Sequence, residues 1–123
     1  MRIPSANVLK LGALCLVLAP LGACVGPANP SASRAAELAN VVSRASGCRA
    51  ASPRAGLLDA FLKTERAGGA TDAQISSARA TYITVSEGAT VNQRLQPVPC
   101  TPDERVTLKG RMTAFGKGTF EGL

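Results

Sequence analysis

Between Pro30 and Gly116 the apolar residues fall into four runs, each closed by glycine and three of them opened by a proline. In the first, Leu38, Val41, Val42 and Ala45 recur at the intervals that put side chains on one helical face. Asn29-Pro30 supplies an N-cap and a proline at the first helical position, and Gly47 is the stop. The second run starts the same way at Ser52-Pro53 and stops at Gly68-Gly69, with a stripe of Leu57, Leu58, Phe61 and Leu62. Asp59 and Lys63, four apart on its outer side, are expected to pair. The third opens on Thr71-Asp72-Ala73-Gln74, a capping box in which the threonine oxygen and the glutamine side chain each satisfy a free amide. Ile75, Ala78, Tyr82 and Val85 then keep helical spacing up to Gly88. Residues 81–85 are rich in β-branched side chains, so a strand competes there. Residues 89–99 have no apolar period and contain Pro97 and Pro99, which reads as a loop or a short extra turn.

The last run has the strongest start signal. Thr101-Pro102-Asp103-Glu104 combines a cap, a proline at the first position, an acidic first turn and a glutamate three residues after the cap. Leu108, Met112 and Phe115 form its helical stripe and Gly116 its stop. Val106, Leu108, Gly110, Met112 and Ala114 also alternate with polar residues, which is strand periodicity; the capping signals favour helix. Residues 117–123 read as a tail, with Phe120 the candidate to pin it. The predicted fold is all-α: a small up-and-down bundle of about four helices over residues 30–116.

The first residues follow a different pattern. Arg2 and Lys10 are positive, residues 11–19 form an uncharged apolar run, and Pro20 breaks it before small residues. As a helix, residues 11–23 would span roughly 20 Å, short of the roughly 30 Å of a bilayer core, so the segment reads as an export signal. Leu21-Gly22-Ala23-Cys24 resembles the lipobox of bacterial lipoprotein precursors. That resemblance implies cleavage by signal peptidase II after residue 23, and a mature chain whose first residue, Cys24, carries lipid on its sulfur and amino group. Residues 24–29 are then a short tether. The competing reading is cleavage by signal peptidase I after Ala23 or Ala28, giving a secreted protein without an anchor. Val25 stands where lipoproteins kept in the inner membrane carry aspartate, so in a Gram-negative host the resemblance implies the outer membrane, facing the periplasm.

Removing residues 1–23 leaves one hundred residues, enough for one small domain. Without Arg2 and Lys10, twelve basic residues face eight acidic ones, a net charge of +4. These charges are scattered and read mainly as a solvated surface. The mature chain has one tyrosine, no tryptophan and hence no stacking platform, and its compartment lacks nucleic acid, so nucleic acid is not expected as a partner.

Cysteine usage agrees with export. Cys15 leaves with the signal and Cys24 takes lipid, so Cys48 and Cys100 remain and are expected to form one disulfide. They lie just ahead of the second and fourth helix starts, which an up-and-down bundle places at one end. With no histidine in the chain, neither a metal site nor a catalytic triad is expected. No nucleophile elbow or phosphate-binding glycine loop is present, and Asp103-Glu104 is explained by capping.

The sequence therefore points to a non-enzymatic envelope lipoprotein without cofactor beyond its covalent lipid. It would be a tethered module that binds another envelope protein or peptidoglycan. Candidate contacts are Arg49, Arg54, Arg94 and Lys117, around the cysteine end and the tail. The alternative is an inhibitor or chaperone-like protein of the periplasm, anchored or soluble.

Overall fold

A computed structural model describes residues 29–123, and within them the chain forms four α-helices and no strand. These are α1 (Pro30–Gly47), α2 (Leu57–Ala67), α3 (Asp72–Leu95) and α4 (Pro102–Gly116). The expected signal segment, Cys24 and most of the tether lie outside the described residues.

Three of the helix starts follow from local chemistry. Asn29 Oδ1 accepts from the Ala32 amide at 3.1 Å and begins α1. At α3 both halves of the capping box form: Thr71 Oγ1 accepts from the Gln74 amide at 3.2 Å, and Gln74 Oε1 from the Thr71 amide at 2.9 Å. Thr101 Oγ1 accepts from the Glu104 amide at 3.1 Å, while the Glu104 carboxylate turns away to Arg44 instead of closing a second box.

α2 starts later than its Ser52-Pro53 signal implies. After Cys48 caps α1, Arg49 takes a left-handed conformation, with φ 53°, and residues 51–54 run irregularly beside α4. The turn into α2 is made at Gly56, whose φ of 77° favours glycine. Lying beside α4 uses the residues that would otherwise have formed another turn of helix, so α2 has only 11 residues.

α3 departs in the opposite sense. It runs 24 residues, through Gly88 and through residues 89–95 that lack an apolar period, and residues 81–85 are helical. Gly88 has open space around it, so its cost is only the roughly 1 kcal/mol of a helix-interior glycine. The continuation is held by packing on α1. The Gln93 side-chain amide donates to Ser43 O at 2.8 Å, and a Cβ at Gly47 would stand 2.5 Å from Gln93 Oε1. Gly47 thus permits a close approach as well as ending α1. α3 stops at the Gln96 cap, directly before Pro97, where helical geometry is disfavoured.

The pairings fix the topology. Asn29 contacts Gln74 and Ser43 contacts Gln93, so α1 and α3 are parallel and make the most extensive packing among the described helices. Arg44 meets Glu104 and Glu37 meets Arg111, so α4 is antiparallel to α1. Asp59 meets Arg79 and Arg66 meets Asp72, so α2 is antiparallel to α3. The result is an up-down-up-down bundle in which Asp59 bonds Arg79 across helices at 2.7 Å, in place of the expected pair with Lys63.

α1 is the central helix. Ala35, Leu38, Ala39, Val41, Val42 and Ala45 are all buried, covering a face wider than a single stripe because α3 and α4 pack along α1 and α2 meets its first turns. Leu57, Phe61, Leu62, Ile75, Leu108, Met112 and Phe115 complete the core, with burial worth roughly 1.5–3 kcal/mol for each large side chain. On α4 the helical stripe is buried and the competing alternation is not used, since Val106 is 73% exposed.

Phe120 pins the tail. Its ring stands 5.4 Å from that of Phe61, edge to face, and 5.7 Å from that of Phe115, stacked. Arg34 donates to Phe120 O at 2.9 Å, lies 5.8 Å from the Phe61 ring centroid, and bonds the buried Glu65 carboxylate, which also accepts from Ser31 Oγ at 2.8 Å. This cluster joins α1, α2 and the tail at the end of the bundle where α1 begins. At the other end, Cys48 and Cys100 form the disulfide, with Cα atoms 5.7 Å apart. Beside it Arg44 grips Glu104 through two bonds, of 2.6 and 2.9 Å, and donates to Val98 O and Pro99 O.

Candidate partner-binding surface

The four cations proposed from sequence do not share one surface. Arg54 and Lys117 come together on a groove of about 360 Å³ between residues 50–54 and α4. Arg94 lines another groove, of about 240 Å³, with Arg44, Gln93 and Val98. Arg49 is exposed at its left-handed turn and lines neither.

The first groove gains a cation that the sequence reading omitted, Lys109. Its position was legible only in part, because Lys109 and Lys117 lie eight apart along α4, whereas Arg54 arrives from the segment expected to be helical. Arg54 is oriented by donating from Nη1 to Gly116 O at 2.7 Å. A Cβ at Gly116 would stand 3.2 Å from Arg54 Cδ, so the glycine lets this side chain lie across the end of α4. Met112, Ala50 and Ala51 give the groove an apolar floor, and no carboxylate lines it.

Among the described residues, unpaired cations gather at this groove, whereas the α2–α3 groove has only Lys63 and the Arg44 groove only Arg94. Arg34, Arg44, Arg66, Arg79 and Arg111 each hold a carboxylate, whereas Arg54, Lys109 and Lys117 hold none among the described residues. The larger groove between α2 and α3, about 560 Å³, has its Asp59 and Arg79 already bonded to one another. Arg44 has a pKa raised by its hydrogen bond to Glu104, and the same bond holds the Glu104 carboxyl below its ordinary value. Burial pushes the Tyr82 hydroxyl up; its ring packs against the core, as expected of an apolar stripe.

One group of metal-ligand types converges among the described residues: Cys48, Cys100 and Glu104, within 4.8 Å of one another. The two sulfurs are bonded to each other and the carboxylate is taken by Arg44, so the set has no free donor arrangement for an ion. No helix among the described residues is long and apolar enough to cross a membrane. Comparison with protein-family models, curated proteins and solved structures gives no match to this chain.

Proposed function

We propose that this chain is a small cell-envelope lipoprotein, anchored through lipid on Cys24, that acts by binding a partner and performs no chemistry of its own. The observation that carries the reading is Leu21-Gly22-Ala23-Cys24 directly after an apolar export segment. The fold supports it in two ways. A disulfide that closes a bundle suits an oxidising compartment. The first helix begins at Pro30, so only a handful of residues, reaching roughly 15–20 Å when extended, separate the anchor from the bundle.

The mechanism is tethering. Acyl chains supply about 0.8 kcal/mol per buried methylene, and confinement at a surface raises the effective concentration of the bundle for whatever shares that surface. In a Gram-negative host the surface is the periplasmic face of the outer membrane, and the partner is another envelope protein or peptidoglycan. The α1 start lies at the anchored end, so the disulfide end, roughly 27 Å along that helix, is the more distant one.

A second reading, an inhibitor or chaperone-like protein, is favoured by a specific feature. Among the described residues no helix covers the outer face of α3 beyond Ile83, and Val91 and Leu95 are 51% and 75% exposed. Such a face suits masking of an apolar client. Metabolic labelling with a fatty acid tests the primary reading: label on the wild type and none on Cys24→Ala is expected, and label retained by Cys24→Ala refutes it.

A further inference from the structure

The groove bounded by Arg54, Lys109 and Lys117 has a charge and a spacing of cations that narrow the partner's chemistry. Arg54 spends one donor on Gly116 O and keeps the rest of its guanidinium fork. Lys109 and Lys117 are exposed and hold no carboxylate among the described residues. They stand eight residues apart, about 12 Å along α4. Between them Met112, buried for most of its surface, offers an unbranched and adaptable thioether to the groove. An extended chain rises about 3.3 Å per residue and turns alternate side chains to one side, so residues one, three and five span about 13 Å on a single face.

From this match we infer that the groove binds an extended acidic segment of a partner protein. Its pattern is acidic, any, apolar, any, acidic: the two carboxylates meet the cations and the apolar side chain meets Met112. The spacing of the two lysines matches alternate residues of an extended peptide, whereas a plane of lipid headgroups sets no such spacing. The absence of aromatic residues from its lining gives nucleic-acid bases nothing to stack on. This deepens the proposed binding role and rests on that role alone. The lipid anchor and the groove stand or fall separately, because labelling at Cys24 reads one and peptide binding in solution reads the other.

The test is fluorescence anisotropy of the purified protein with labelled Glu-Ser-Leu-Ser-Glu, set against Gln-Ser-Leu-Ser-Gln. Binding of the glutamate peptide is expected to weaken about tenfold in Lys109→Glu and in Lys117→Glu, to fall with salt, and to stay unchanged in Arg94→Glu. Equal binding of the glutamine peptide, or equal loss in Arg94→Glu, overturns the proposal. So does binding of anionic phospholipid vesicles without binding of the peptide. Methyl NMR of the unmodified protein supplies a readout that needs no variant: the Met112 signal is expected to shift on titration. A shift confined to Ile83 on α3 refutes the assignment.

Discussion

Opening the Cys48–Cys100 bond removes a constraint that acts chiefly on the unfolded chain. The bond joins residues 52 apart. By the loop-entropy relation a closed loop of this length restricts the denatured ensemble by about 4 kcal/mol. In the folded protein the same ends are held together independently, because Arg44 bonds Glu104, Val98 O and Pro99 O beside the disulfide. The native geometry should therefore survive in Cys48→Ala/Cys100→Ala while the stability falls. For a domain of this size 1 kcal/mol moves the melting temperature by about 4–8 °C, so the double variant should melt about 20 °C lower. Circular dichroism melts of both proteins, with helix content compared at low temperature, measure this. A fall below about 5 °C with helix content intact would refute the entropic argument. Loss of helix at low temperature would refute the claim that the Arg44 clamp suffices to hold the native end.

Three further perturbations probe other parts of the fold. Glu65→Ala removes the acceptor shared by Ser31 and Arg34; because Arg34 is partly exposed, the expected loss is about 2 kcal/mol in urea unfolding, and Glu65→Gln should lose less. Gly88→Ala, with open space at its Cβ, should stabilise by about 0.5–1 kcal/mol, whereas a destabilised variant would mean that α3 does not run through residue 88. The Arg44 bond makes Glu104 hold its proton less tightly folded than unfolded, so its contribution is complete above the ordinary glutamate range and is lost as pH falls through the lower folded value. Stability measured from about pH 7 to about pH 3 should fall more steeply in the wild type than in Glu104→Gln, and parallel curves would contradict this.

Much of the helical layout was legible because caps are local chemistry. Asn29, Thr71 and Thr101 each bond an amide within three residues, and no distant part of the chain is needed to predict that. The Cys48–Cys100 pair was legible by elimination. What escaped was set by tertiary contacts. Ser52-Pro53 carries a sound local signal, yet its segment lies irregularly beside α4, and Gly56 makes the turn. Gly88 read as a stop because glycine is a poor helix former, and packing of Gln93 on Ser43 and Gly47 outweighs that small cost. Asp59 had a suitable lysine four residues away, but Arg79 on α3 reaches it. The cationic groove was half visible: Arg54 and Lys117 were named, Lys109 was not, and Arg94 belongs elsewhere. No periodicity on one helix announces a site shared by a helix and an irregular segment.

What Cys24 carries decides whether the proposed anchor exists. Intact-mass and peptide mass spectrometry of the protein taken from its native envelope tests this directly. The expected product begins at Cys24, with lipid on both the sulfur and the amino group. An unmodified amino terminus at any other residue, such as Asn29 after cleavage following Ala28, would contradict the anchored reading.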